Sequence, residues 1–257
     1  MAASNGTASI AGWKLSAKNK RGWSWVPNFA DADNAESLQL AAGILDGLGV
    51  VRPDAGGEAV GTADVGSSLE RIVESRLATE VRDLAPDRDW VFSRGRSVLD
   101  FAQYEHLRSI DYLIRENPSL AVTLGRDYLI KPDVSVGIAN TPTFANNLWL
   151  HAVVSCKWTI RSDRVQNVRH EFAQLIRHRR GRLPHLVTVT LEPLPTRLLS
   201  IARGTGEVDT TYHLAFDELH AAVEASSNRQ QIEAWNEVVG QRRLRSFSEL
   251  GRDLTSW

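Results

Sequence analysis

The chain has 257 residues, 42% of them hydrophobic and 24% charged, with a formal net charge of −1. That length supports a sizeable core, and near-neutrality argues against a protein that coats nucleic acid indiscriminately. A single cysteine excludes an intramolecular disulfide framework, and without a CxxC or Cys/His cluster nothing points to zinc.

The N-terminal twenty residues lack an apolar core flanked by basic residues, so no secretory signal is expected. No apolar stretch approaches the ~18 residues that cross a bilayer. The expected location is therefore the cytoplasm. The first helix-like stretch lies near Ser37–Leu48, followed by a Gly-rich polar loop over 51–66. A stronger helix follows, capped by Ser67 or Ser68 and stopped by Pro86, with Leu69, Val73, Leu77, Val81 and Leu84 on one face. At ~100° per residue Glu70 falls inside that apolar sector. A carboxylate there has to be paired, protonated or bound to a metal.

Residues 98–115 read as a second helix, ended by Asn117-Pro118. A short strand is expected over Tyr128–Val136, interrupted by Pro132, and a longer one over Leu148–Ile160. The spacing of Val165, Val168, Phe172, Leu175 and Ile176 predicts a helix over Arg161–Arg180, with Ser162 or Asp163 as its cap. Further strands are expected over His185–Leu191 and Thr211–Phe216, and the last forty residues read as mainly helical. This alternation predicts an α/β fold, a mixed central β-sheet flanked by helices, in a single domain over residues 1–257.

Chemistry concentrates in the middle of the chain. Asp133 sits on one short strand, Lys157 ends the next, and Glu171 lies on the helix after that. Carboxylates with a divalent ion can orient water and neutralise a phosphodiester, and a lysine can stabilise the charge that develops. Oxygen ligands without a His/Cys cluster favour Mg²⁺ over zinc. Such residues also occur near strand ends for purely structural reasons.

The Arg161-Ser162-Asp163-Arg164 cluster, at a helix start, has donors for guanine and an acceptor for the cytosine amino group. A capping and salt-bridge cluster is the structural alternative. Seven arginines between 161 and 182 face only Asp163 and Glu171, which makes a local basic stripe or a solvated helix face.

Pro132-Asp133, then Ser155-Cys156-Lys157-Trp158-Thr159-Ile160-Arg161-Ser162-Asp163-Arg164, then Glu171 resembles the PD-(D/E)XK nucleases. More narrowly it is similar to the NgoMIV family of type II restriction endonucleases, which cut sites built on CCGG. The similarity extends over Glu116-Asn117-Pro118, Asp127-Tyr128, Glu192-Pro193 and Tyr212-His213, so it covers most of the chain.

The resemblance implies a restriction-endonuclease-like core and a catalytic set of Glu70, Asp133, Ser155, Lys157 and Glu171. It implies Mg²⁺ held by Asp133, the Cys156 backbone carbonyl and Glu171. Ser155 stands where the wider superfamily has an acid, so Glu171 supplies the second carboxylate. Arg161, Asp163 and Arg164 match readers of the CCGG core, and Asp31 and Arg197 match positions that read the outer base pair. Asp33 stands where the family pattern has serine, and Ala63 where it has glutamine. Retention of Asp31 and Arg197 points to GCCGGC, cut to leave four-base 5′ overhangs.

The partners implied are double-stranded DNA, a second copy of the chain in a homodimer or a tetramer, and a methyltransferase in a prokaryotic host. The segment from Asp133 to Lys157 is shorter than in NgoMIV, which favours the dimer. Rival readings are a repair or transposition nuclease without CCGG specificity, a non-cleaving sequence-specific DNA binder, and an enzyme for a small phosphorylated substrate using Gly204-Thr205-Gly206.

Overall fold

In the computed structural model the described residues are 6–16, 25–54, 65–139, 148–204 and 206–256. A six-stranded sheet has the order β3 (Trp90–Arg94), β4 (Val134–Ile138), β5 (Trp149–Lys157), β6 (His185–Thr190), β7 (Thr210–His213), β8 (Leu244–Ser246). The first three strands pair antiparallel and the last four parallel, so β5 is the hinge of a mixed sheet. Its seven residues from Leu150 to Cys156 are all buried. A run buried at every position, with His151 and Ser155 as its two polar members, suits a strand covered on both faces. A separate hairpin pairs β1 (Trp13–Leu15) with β2 (Trp25–Pro27).

The helices are α1 (Ala35–Gly47), α2 (Val65–Leu84), α3 (Leu107–Glu116), α4 (Leu120–Leu124), α5 (Ser162–His178), α6 (Pro195–Ala202), α7 (Phe216–Glu224), α8 (Arg229–Gly240) and α9 (Leu250–Thr255). The expected α/β fold with a mixed sheet flanked by helices is thus what forms. No helix among the described residues is long and apolar enough to cross a membrane. α2 packs on β3, β4 and β5 through Leu69, Val73, Leu77 and Val81, all fully buried.

Several local expectations are corrected. α2 begins at Val65 or before, so Ser67 and Ser68 lie inside it and cap nothing, and Leu84 is exposed. Residues 98–115 are not one helix. Two short 3₁₀ turns precede α3, because Phe101 leaves the helical path to bridge Leu148. The strand expected over 128–136 starts only after Pro132, at Val134, where a proline no longer removes a ladder donor. β5 stops at Lys157 rather than Ile160. α5 has Arg161 as its N-cap with no side-chain cap bond, so neither Ser162 nor Asp163 caps it. β3 and β8 were not expected at all; each is too short to show alternation against its neighbours.

At the start of β5 the sheet is completed by a side chain. Pairing with β6 begins at Ala152. One turn of chain earlier, the buried Gln103 takes the missing partner's place. Its carboxamide donates to Leu150 O at 2.6 Å and accepts from Leu150 N–H at 2.9 Å. Ala102 N–H donates to Leu148 O beside it.

Two fully or nearly buried histidines brace the far ends of the strands. His213 donates from Nε2 to Glu192 O at 3.1 Å, while its Nδ1 accepts from Ala215 N–H at 3.2 Å. That pair of contacts fixes one neutral tautomer. Burial pushes the His213 pKa down to about 4, and burial does the same to His151.

Two predictions follow from these contacts. Gln103→Ala leaves both Leu150 groups unpaired in the core and should lower unfolding free energy by roughly 2–5 kcal/mol in urea titrations. For His213 the folded value lies below the unfolded one, so its neutral state stabilises the fold above about pH 6.5 and that contribution is lost as pH falls towards 4. The stability advantage of the wild type over His213→Asn should therefore shrink by about 2 kcal/mol between pH 6.5 and 5. Taking the difference between the two proteins cancels buried glutamates that titrate the opposite way, such as Glu192, raised by burial to about 7.

Candidate active site

The site forms where β4 begins and β5 ends. Asp133 immediately precedes β4, and the register places it beside Ser155. Its Oδ2 accepts from the Cys156 backbone N–H at 2.7 Å, from Lys157 Nζ at 2.7 Å and from Ser155 Oγ at 3.4 Å. Side chains alternate along a strand, so Ser155 and Lys157 leave β5 together on the side of Asp133. The lysine is reachable there: its side chain is 23% exposed and that of Asp133 25%.

Glu171, half-buried on α5, faces this pair. Its carboxyl is pushed up to about 7, first by burial and then by the Asp133 charge, with Lys157 opposing. Two carboxylates in electrostatic range of each other favour a cation between them. Glu70, half-buried on α2, lies close enough to Cys156 to contribute to the upward shift of its thiol, after burial and Asp133. The structure therefore brings Glu70, Asp133, Ser155, Cys156, Lys157 and Glu171 into one neighbourhood.

Among the described residues no cluster of three His, Cys, Asp or Glu side chains forms a metal cage. The donors present are the carboxylates of Asp133 and Glu171, with the Cys156 backbone carbonyl beside them. An oxygen-only set with two carboxylates fits a hard divalent ion that keeps part of its water shell.

β5 hands over to α5 through Trp158, Thr159 and Ile160, and this turn positions the arginine cluster. Arg164 donates to Thr159 O at 2.9 Å and to Thr159 Oγ1 at 3.1 Å. A recess of about 510 Å³ is lined by Cys156, Lys157, Arg161, Arg164 and, from the hairpin, Lys14 and Asn28. A second recess of about 410 Å³ is lined by Asp31, Asp33, Arg161 and Arg197. Arg161 belongs to both. Asp163 is exposed on the first turn of α5 and lines neither. Ala63 lies outside the described residues.

Asp31 and Arg197 meet directly, with Nη2 to Oδ2 at 2.5 Å, and the guanidinium holds the Asp31 carboxyl below its usual range. Asp33 is exposed and only its backbone N–H reaches Asp31, at 3.4 Å.

One organising residue went unassigned in the sequence. Glu192 follows β6 and is fully buried. Its Oε2 accepts from Ile160 N–H at 2.7 Å and its Oε1 from Leu194 N–H at 3.2 Å, with Arg197 Nη1 at 3.7 Å. It ties the turn before Arg161 to the turn before α6. A glutamate between a strand and a proline was the only signal available.

Gly204 and Gly206 have φ of +126° and +146°, a backbone that favours glycine. The Arg169 guanidinium bonds the carbonyls of Ser200 and Arg203 beside this turn.

Comparison with known proteins places this arrangement. A profile described as NgoMIV restriction enzyme matches residues 14–142 and 138–256. The type II restriction enzyme NgoMIV of Neisseria gonorrhoeae is 37% identical over 268 aligned positions, covering 93% of this chain and 92% of that one. Among solved structures, the pre-specific BsaWI–DNA complex gives a TM-score of 0.35 at 13% identity, over 69% of this chain and 64% of that one. The type IIF restriction endonuclease Bse634I with cognate DNA gives 0.34 at 13% identity, over 92% and 94%. The assignment rests on the sequence matches alone, which run along nearly the whole chain: this protein belongs to the NgoMIV restriction enzyme family of type II restriction endonucleases.

Proposed function

We propose that the protein cleaves both strands of a palindromic DNA site with a CCGG core, GCCGGC, in a Mg²⁺-dependent reaction that leaves four-base 5′ overhangs. The observation that carries this reading is the 2.7 Å contact of Lys157 with Asp133, since Lys157 also lines a recess whose other cations are Arg161, Arg164 and Lys14. A hydrolytic pair and a set of base donors then share one cleft.

Asp133, Glu171 and the Cys156 carbonyl would hold the Mg²⁺, which supplies an activated water and neutralises charge on the scissile phosphate. The protein's own groups do the rest. Lys157 carries its ammonium at the end of β5, where it reaches a phosphodiester oxygen and stabilises the charge that builds there. Ser155 and the Cys156 N–H hold Asp133 in place. Glu70 adds negative charge from α2. Arg161 and Arg164 donate to guanine edges and Asp163 accepts from cytosine, while Asp31 and Arg197, with Asp33 at the rim, read the outer pair. A palindrome demands two-fold symmetry, so the working unit is a homodimer or a tetramer of such dimers. A host methyltransferase protecting the same site completes the system, and the cytoplasm is where all of these meet.

Purified protein incubated with plasmids carrying each CCGG-centred hexamer should linearise the GCCGGC plasmid with Mg²⁺ and leave it intact with EDTA. Uniform nicking, or no cutting at any such site, would defeat the proposal. Lys157→Ala should abolish cleavage while retaining specific binding in gel shifts, and loss of both would make the lysine structural. Asp163→Ala should weaken discrimination for the core by roughly 1–3 kcal/mol per lost base contact. An unchanged preference across a panel of single-mismatch duplexes would remove Asp163 from the readers.

A further inference from the structure

The β1–β2 hairpin lines the recess through Lys14 and Asn28 with no role yet given to it, and it is fastened to the turn before Arg161 through Trp158. Asn28 closes the base of the hairpin: it donates from N–H to Gly12 O at 2.8 Å and from Nδ2 to Ile10 O at 2.8 Å, and its Oδ1 accepts from Gly12 N–H at 3.2 Å. Trp158, next to Lys157, donates to Asn28 O at 3.4 Å and stands edge-on to Phe29, centroids 6.0 Å apart. On the other side Trp13 and Trp25 are buried and donate to Val50 O and Asp54 O. The described part of the hairpin thus packs against the turn that leads to Arg161.

Alternation along β1 turns Trp13 into the core and Lys14 outward. Lys14 lines the 510 Å³ recess together with Lys157, Arg161 and Arg164. Most of the other polar groups there are engaged: both ends of the Asn28 amide hold the hairpin, Thr159 holds Arg164, and Lys157 holds Asp133, while Arg161 is the remaining cation of the lining. Among the described residues Lys14 has no ion-pair or hydrogen-bond partner. Among the described residues no carboxylate belongs to the lining of this recess.

From this juxtaposition we infer that the hairpin is a preformed wall of the DNA cleft and that Lys14 binds a backbone phosphate of the duplex. This rests on the reading of the recess as a DNA cleft. A lysine is a compact point charge on a flexible stem, suited to any phosphate oxygen and indifferent to which base it belongs to. Lys14 thus contributes affinity and register, and leaves base discrimination to the arginines.

The test uses the full chain with Ca²⁺ replacing Mg²⁺ and two duplexes, one containing GCCGGC and one without CCGG, titrated across a range of NaCl concentrations. Lys14→Ala should weaken binding to both duplexes by the same factor and reduce the slope of log K against log salt by about one. Lys14→Arg should restore the slope, which separates lost charge from lost folding. An unchanged slope, a changed ratio between the duplexes, or failure of the arginine to rescue would each overturn the inference. The two readings fail separately. Wild-type protein that prefers neither duplex defeats the GCCGGC proposal, yet the slope change is still expected on both. Wild-type protein that binds neither duplex ends both.

Discussion

The site depends on one carboxylate oxygen. Oδ2 of Asp133 takes a backbone N–H, an ammonium and a hydroxyl from three consecutive residues of β5. This fastens the first residue before β4 to the last turn of β5, at the point where the antiparallel half of the sheet gives way to the parallel half. Three donors on one oxygen fix the position of the carboxylate in a partly buried place. They also decide what happens around it. Glu171, facing the same charge without comparable donors, is pushed up to about 7 by burial and by Asp133. At Glu171 burial and the Asp133 charge together outweigh the opposing charge of Lys157.

A second tie, centred on Glu192, does for the turns before Arg161 and α6 what Asp133 does for the end of β5. Fully buried, it accepts from the N–H groups of Ile160 and Leu194, one residue before Arg161 and one before α6. Its backbone carbonyl is in turn held by His213 on the neighbouring strand. The turns leading into α5 and α6 are loops of different strands, and without a shared acceptor they would move independently. With it, Arg161 and Arg197 face one recess in a fixed relation.

Much of this was legible in the sequence, and the limits have physical causes. The periodicity of Leu69 to Val81 and of Val165 to Leu175 placed two helices well, because each stripe buries against the sheet and nothing else competes. Local pattern put Asp133 and Lys157 near strand ends and Glu171 on a helix, but it was the family resemblance that singled them out as a set. Helix starts were misjudged at Ser67 and Ser162, where small polar residues look like caps but the chain had already turned helical. The break at Phe101 was invisible because it is made by a contact with Leu148, forty-seven residues away. Glu192 and Lys14 were missed for the same reason. Their meaning lies in what tertiary structure puts beside them.

The proposed readers are not idle in the structure. Arg164 spends donors on Thr159, Asp31 is paired with Arg197, and Lys157 is paired with Asp133. A guanidinium has five donors in a fixed fork, so Arg164 can keep its Thr159 contacts and still present a free edge to guanine. Asp31 and Arg197 are different, because their mutual contact uses the groups a base pair would need. Reading the outer pair would require that contact to open or to be shared, whereas the core readers could engage at once. Arg161 lines both recesses and lies four residues from Lys157, so on the proposed reading engagement of the core bears on the turn that leads back to that lysine. On the proposed reading, contacts to the core form without breaking an ion pair, whereas contacts to the outer pair have to share or open the one between Asp31 and Arg197.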